Sequence, residues 1–119
     1  MVIIYKTKKN VMRYCLALDL KDDPKLIAAY DEYHQSVWPE VIDSIKSSGI
    51  KSLEIYRVSN RLFMIIEADA NFSFEQKAAM DAKNEIVQQW ENTMWEYQQA
   101  LPIAKPGEKW VLMQKICMV

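Results

Sequence analysis

Alternating apolar and polar side chains predict four β-strands along this chain. In residues 11–20 every second side chain is strongly apolar, which is the two-residue period of a strand. Two further strand-like runs, residues 50–58 and 62–69, are separated by residues 59–61, whose composition is that of a turn. They predict an antiparallel hairpin, and the almost continuously apolar second run is typical of a central strand. Residues 110–119 predict the last strand.

The first helical region is marked by its beginning and its end. Asp23 suits the N-cap and Pro24 the first helical position, where the missing N–H of proline costs nothing. Pro39 removes a backbone hydrogen bond and crowds the preceding turn, so we expect the helix to kink or restart there. Gly49 is a natural C-terminal stop.

The second helical region lies between the hairpin and the last strand. Residues 71–80 predict a short helix or turn that Asn71 or Ser73 could cap. Residues 83–100 predict a longer helix. The residues expected to share the apolar face of this longer helix are Ile86, Trp90, Met94 and Tyr97.

The predicted order of elements, β-α-β-β-α-β, indicates an α+β fold of ferredoxin-like type. That arrangement is a four-stranded antiparallel sheet with helices on one face, here formed by residues 1–119 as a single domain. Several strands are apolar on both sides, so the second face of the sheet is expected to need a partner. A second copy of the same sheet is the commonest one, and we therefore expect a homodimer.

Charge and hydropathy exclude several classes of partner. The 119 residues carry a net charge of −1 and have a pI of about 5.8, which argues against nucleic acid or an anionic membrane. The basic residues Lys6, Lys8 and Lys9 are interpreted as a solvated lead-in. No apolar stretch has the length of a transmembrane helix, and the N-terminus lacks the pattern of a signal peptide. We expect a cytoplasmic protein.

Few residues could hold a metal or a cofactor. Cys15 and Cys117 lie in apolar strand-like runs, each without a second cysteine nearby, so two buried free thiols are expected rather than a disulfide. One histidine leaves little for zinc or iron. The two glycines, Gly49 and Gly107, cannot form a glycine-rich phosphate loop. The sequence therefore predicts neither a cofactor nor a metal.

The one histidine of the chain lies in the first helical region. Tyr30 and His34 are four residues apart and fall on one helix face together with apolar residues. An imidazole titrates near neutral pH and can both give and accept a proton there. A hydrogen-bonded core histidine with no role in chemistry is the alternative interpretation.

Aromatic residues on the second long helix and two carboxylates are further candidates. Trp90 and Trp95, with Tyr97, are expected either to pack in the core or to hold the apolar side of a sugar ring. Glu40 and Glu67 lie near apolar residues. For Glu67 a position at a strand end facing solvent is the simpler interpretation.

Several motifs carry a family resemblance. They are Tyr30-x-x-x-His34-x-x-x-Trp38-Pro39-Glu40, Ile55-Tyr56, Leu62-Phe63-x-x-x-Glu67 and Val87-Gln88-Gln89-Trp90. In this order, over roughly residues 11 to 119, the chain resembles the L-rhamnose mutarotase family. The resemblance implies a cofactor-free aldose 1-epimerase of the dimeric α+β barrel type. It also implies that His34 is the proton donor and that Tyr30 and Trp90 contact the sugar. We expect Tyr56, Glu91 and Trp95 to contact it too.

The chain departs from typical rhamnose enzymes in three places. Trp90 is followed by Glu91 rather than by a second tryptophan, and Leu53 replaces a sugar-contacting tyrosine. The segment from Trp90 to Pro102 is longer, and with residues 105–110 it is more similar to relatives associated with L-fucose. The expected substrate is therefore a 6-deoxyhexose, with L-fucose favoured over L-rhamnose.

Mutarotation interconverts the α and β anomers of a reducing sugar through its open-chain aldehyde. It needs acid and base catalysis near neutral pH, for which water, Tyr30 or a carboxylate could be the base. Two alternatives come from other classes of protein. One is a haem-binding or cofactor-free oxygenase of the dimeric α+β barrel superfamily, and the other is a non-catalytic sugar-binding dimer.

Overall fold

The computed structural model describes residues 11–119, with strand β1 (Val11–Leu20) inside an antiparallel sheet. The predicted basic lead-in at Lys6, Lys8 and Lys9 lies outside the described residues. Strand β1 pairs along its length with the third strand in the chain, β3 (Arg61–Asp69), and β3 pairs with β2 (Ile50–Val58). The predicted hairpin is therefore confirmed.

Two very short strands share the remaining edge of β1. Strand β4 (Gln98–Gln99) pairs with the C-terminal end of β1, and β5 (Val111–Leu112) pairs with its middle. The prediction of one strand over residues 110–119 is wrong beyond Leu112. The last recorded bond of the tail to β1 runs from the Met113 N–H to the Cys15 carbonyl, at 2.7 Å. The resulting order is β2-β3-β1-β4, with β5 also on β1.

The first helical region is two helices rather than one. Helix α1 (Pro24–Tyr33) begins at Asp23, whose carboxylate accepts from the Lys25 N–H at 2.8 Å. Helix α2 (Pro39–Ser47) starts afresh at the proline and ends before Gly49, which has a φ of 99°. That left-handed conformation favours glycine, as the sequence predicted for a helix stop.

The second helical region also divides in two. Helix α3 (Phe74–Ala82) is capped by Ser73, and helix α4 (Glu85–Trp95) is capped by Asn84. The expected helix over residues 83–100 is too long, because the backbone after Trp95 leaves the helix to pair with β1. No helix within residues 11–119 has the length and hydropathy needed to cross a membrane.

All four helices contribute to a layer on one face of the sheet, and the core lies between. On α4 the inward residues are Val87, Trp90 and Met94, whereas Ile86 is partly exposed. Trp90 and Met94 face inward as predicted, but Val87 takes the inward position in the first turn that was expected for Ile86. The core cluster under this layer comprises Leu18, Leu20, Tyr30, Val41, Leu62, Val87, Trp90 and Met94.

The opposite face of the sheet is not covered by any helix of residues 11–119. Because successive strand residues point to opposite faces, the side chains on this second face belong to the residues that alternate in sequence with the buried ones. We call this surface the open face, and its apolar members are Cys15, Ala17, Tyr56, Val58, Phe63 and Ile65. The expected burial of both thiols is wrong, since Cys15 is only half-buried and Cys117 is exposed.

Candidate active site

A cavity of about 600 Å³ lies between the helices and the covered face of the sheet. Five of the six residues expected at the site border it: Tyr30, His34, Trp90, Glu91 and Trp95. They come from the C-terminal end of α1 and from α4, and the two meet where Tyr33 and His34 contact the Trp90 ring. Leu53 of β2 lines the cavity too. By the family resemblance, a tyrosine occupies this position in typical rhamnose enzymes.

His34 is held at the end of α1 with one ring nitrogen engaged. It is the C-cap residue of that helix, and its Nδ1 lies 2.8 Å from the Tyr30 carbonyl oxygen. A carbonyl oxygen can only accept, so Nδ1 carries a hydrogen and donates it. That bond leaves the second nitrogen, Nε2, as the one available to a ligand, as an acceptor when the ring is neutral and as a donor when it is charged.

Tyr30 lies against His34 but is far more buried. The two ring centroids are 4.3 Å apart, and Tyr30 is only 3% exposed. Burial raises the pKa of Tyr30 to about 12, and the hydrogen bond from Gln98 opposes only part of that rise. A phenol with that pKa keeps its proton at neutral pH, so Tyr30 is a hydrogen-bond donor there rather than a base.

The position of α1 is fixed by an ion pair to the hairpin. The Arg57 guanidinium donates to both carboxylate oxygens of Asp31, at 2.8 and 2.6 Å. These bonds hold the pKa of the Asp31 carboxyl below its usual range. Because Asp31 directly follows Tyr30, this contact ties the helical turn that carries both site residues to strand β2.

Aromatic rings form one wall of the cavity around Trp90. His34 and Trp38 both meet the Trp90 ring edge to face, with centroids 5.5 and 5.1 Å away. Trp90 is nearly fully buried and also borders the cavity. Core packing, one of the two interpretations offered by the sequence, therefore applies to this residue, and its position at the cavity leaves the other one open to it.

Glu91 and Trp95 are joined by a lysine from the C-terminal segment. The Lys109 ammonium forms a close ion pair with the Glu91 carboxylate and lies 4.7 Å from the centre of the Trp95 ring. Burial lowers the pKa of Lys109, while Glu91 opposes that shift. This contact fastens the segment after Pro102 to α4 and closes one side of the cavity.

Tyr56 was expected to contact the sugar, but it does not border the cavity. It lies on the open face, is 53% exposed and donates to Glu54 at 3.1 Å. Ile55, its neighbour in β2, faces the cavity instead, so strand alternation directs Tyr56 away from it. Glu67 is likewise on the open face and pairs with Arg13 at 3.1 Å.

Sequence patterns missed several polar residues that border the cavity. Asp81 accepts from the Ser44 hydroxyl and from the Lys77 ammonium, each at 2.8 Å. The four-residue spacing of Lys77 and Asp81 was a usable signal for their pairing. Gln98 and Lys109 offered no such signal, because only the return of the chain to β1 brings them to the cavity.

These contacts place one imidazole beside a buried phenol and an aromatic wall. His34 supplies a ring whose Nδ1 is engaged, Tyr30 a buried hydroxyl and Trp90 an apolar surface. Such a combination suits a small polar ligand with one apolar side, on which protons are moved near neutral pH.

Comparison with known proteins agrees with this geometry. The chain is 45% identical over 103 residues to an L-fucose mutarotase of Xanthomonas campestris pv. campestris, covering 85% of this chain and 82% of that protein. It is 23% identical over 77 residues to an L-rhamnose mutarotase of Paraburkholderia phytofirmans, covering 63% and 64% of the two proteins.

A solved structure shares the fold. The crystal structure of an L-rhamnose mutarotase from Formosa agariphila superposes with a TM-score of 0.66 at 22% sequence identity, covering 91% of this chain and 98% of that one. The model of the L-rhamnose mutarotase family matches residues 13–118, almost all of the described chain. Because the family model matches almost the whole described chain and a relative is 45% identical, the chain belongs to the L-rhamnose mutarotase family.

Proposed function

We propose that this protein is a mutarotase that interconverts the α and β anomers of a 6-deoxyhexose, with L-fucose favoured over L-rhamnose. The observation that carries the proposal is the state of His34, whose Nδ1 is fixed on the Tyr30 carbonyl beside the cavity. Because Nδ1 is engaged, Nε2 is the ring nitrogen that contacts the ligand, whether the His34 ring is neutral or charged. The names of the two mutarotase relatives support the same activity.

In the proposed reaction His34 Nε2 moves protons between two oxygens of the sugar. The anomeric hydroxyl loses its proton, the ring oxygen gains one, and the bond between the anomeric carbon and the ring oxygen breaks. The open-chain aldehyde rotates, and the reverse steps close the ring on its other face. His34 ends with the protons it began with, and such positioned acid–base catalysis accelerates a reaction by about 10²- to 10⁴-fold.

The other residues of the proposed site orient the sugar. Tyr30 donates a hydrogen bond, since its raised pKa keeps the phenol protonated at neutral pH. Trp90 and Trp95 hold the apolar side of the ring and its methyl group. Glu91 is held in place by Lys109 and accepts from a sugar hydroxyl. Tyr56 belongs to the open face in this proposal and has no contact with the sugar of its own chain.

The preference for L-fucose rests on the residues that differ from typical rhamnose enzymes. The two sugars share a methyl group and differ in the stereochemistry of their ring hydroxyls, so hydrogen-bonding partners must separate them. A buried hydroxyl without its partner costs roughly 1–3 kcal/mol. Leu53 removes one partner from the cavity and Glu91 adds another, which changes the pattern of hydroxyls that the site accepts.

The proposed assembly is a homodimer in which two open faces pack together as a dimeric α+β barrel. The centre of the open face is apolar, with Ala17 beside Phe63 and Cys15 beside Ile65 in the strand register. Ion pairs Arg13–Glu67 and Asp19–Arg61 flank it, at 3.1 and 2.6 Å. An apolar centre with a charged rim is the usual anatomy of a subunit interface.

Magnetisation-transfer NMR on equilibrated sugars measures anomer exchange directly and tests the function. We expect the purified protein to accelerate exchange of L-fucose most, L-rhamnose less and D-glucose least. Faster catalysed exchange of L-rhamnose than of L-fucose would overturn the preference. No acceleration with any of the three sugars would overturn the mutarotase function.

A further inference from the structure

Gln98 is a buried polar residue that the proposed reaction has not yet used. It lies in β4, where pairing with Leu20 of β1 fixes its backbone, and it is only 4% exposed. Its side chain borders the cavity, and its amide Nε2 donates to the Tyr30 hydroxyl oxygen at 3.2 Å. Sixty-eight residues separate the two partners, so the contact exists only in the folded chain.

The hydrogen bond from Gln98 determines what the Tyr30 hydroxyl can do. A phenol has one hydrogen to donate, and its oxygen can accept. With Gln98 donating to that oxygen, the Tyr30 O–H must point elsewhere, and no residue between 11 and 119 is recorded as its acceptor. The cavity that Tyr30 borders is where an acceptor can enter.

The other polar atom of the Gln98 side chain makes no such contact. Its Oε1 atom is buried and has no hydrogen-bond partner within residues 11–119. An unpaired buried carbonyl is unfavourable, and an apolar side chain of the same length would avoid it. Within residues 11–119 the contact of Nε2 with Tyr30 is therefore the one hydrogen bond that the Gln98 side chain makes.

We propose that Gln98 is a positioning residue, which by donating to the Tyr30 hydroxyl oxygen directs the Tyr30 O–H toward an oxygen of the bound sugar. The inference rests on the proposed mutarotase function and adds to it a residue that acts through Tyr30 rather than on the sugar itself. Removing Gln98 frees the phenol to rotate, so the sugar loses a directed donor although the phenol remains.

A double-mutant cycle tests whether Gln98 acts through Tyr30. Catalysed exchange of L-fucose is measured for Gln98→Met, Tyr30→Phe and the double variant, with Gln99→Met, at the exposed neighbour, as the control. We expect Gln98→Met to slow exchange roughly three- to tenfold, as the loss of one hydrogen bond predicts. In the Tyr30→Phe background the same substitution should have no further effect, because its target is gone.

The variant Gln98→Glu provides a second readout, taken over the pH range in which circular dichroism and thermal unfolding show the variant to be fully folded. An ionised carboxylate cannot donate and accepts from Tyr30, which turns the O–H away from the sugar. Burial raises the pKa of an introduced carboxyl, and once protonated it can donate again. The rate of Gln98→Glu relative to the wild-type protein should therefore rise as the pH falls from 8 to 5, whereas Gln99→Glu should show a constant ratio.

The outcomes separate this inference from the function on which it rests. Additive effects in the cycle, or a Gln98→Glu ratio that does not change with pH, would overturn the role of Gln98 while wild-type exchange stands. If Gln98→Met fails to fold, the pH series on Gln98→Glu decides alone. A wild-type protein that accelerates no sugar would overturn the function and this inference together.

Discussion

The two faces of the sheet have different surroundings, although the long strands β1, β2 and β3 contribute side chains to both. The covered face carries the cavity, with Leu53 and Ile55 of β2 at its floor and polar residues from the helices around it. The open face carries Tyr56 and Phe63 paired across the hairpin and Glu54 beside Ile65, with ion pairs at its two ends. One face thus lines a cavity beneath the helices, and the other is an open surface.

This difference shows that residues lining the cavity and residues forming the open face can be neighbours in the sequence. Ile55 and Tyr56 are adjacent in β2, yet only Ile55 faces the cavity. Because successive strand residues point to opposite faces, a motif that contains both cannot be assigned to one role as a unit. A substitution on the open face should therefore affect assembly, and one on the covered face should affect catalysis.

The largest expected effect is the loss of the dimer in Ile65→Asp. A carboxylate at the centre of the open face would be buried without a partner in the dimer, which is costly. We expect the wild-type protein to have the mass of two chains by light scattering at micromolar concentration, and the variant that of one. Ile103→Asp, at a loop residue that is 78% exposed, is the matched control and should stay dimeric.

A wild-type protein that is monodisperse and monomeric at that concentration would contradict the proposed assembly. A dimeric Ile65→Asp variant would show instead that the chains associate through another surface.

A smaller effect is expected from removing single phenol hydroxyls on the two faces. Tyr30→Phe should slow the catalysed exchange of L-fucose about tenfold, the equivalent of one hydrogen bond of roughly 1.4 kcal/mol. Tyr56→Phe should leave exchange close to the wild-type rate, since the Tyr56 hydroxyl contacts Glu54 on the open face. Equal losses in the two variants would mean that both faces contribute to the site.

Local signals in the sequence were sufficient for most of the fold. The period of β1, the turn between β2 and β3, the cap at Asp23 and the restart at Pro39 all depend on near neighbours in the chain. The spacing of Tyr30 and His34 likewise predicted that they share a helix face, and they do. Such features are encoded within a few residues and can be recognised without the tertiary structure.

The parts that could not be predicted depend on distant partners. The end of α4 and the position of β4 are decided by the free edge of β1, which accepts Gln98 and Gln99. The ion pair of Lys109 with Glu91 links residues eighteen positions apart across a loop. No periodicity marks Gln98 or Lys109, so these polar residues of the cavity lining become recognisable only in the fold.

The most direct test of the account is the rate of anomer exchange in His34→Ala. Gln35→Ala is the control, because Gln35 is the exposed neighbour of His34 and does not border the cavity. For a folded His34→Ala protein, established by circular dichroism and thermal unfolding, we predict a loss of about a hundredfold or more in catalysed L-fucose exchange, with Gln35→Ala at the wild-type rate. A folded His34→Ala protein that exchanges L-fucose anomers as fast as the wild-type protein would contradict the central claim that His34 moves the proton.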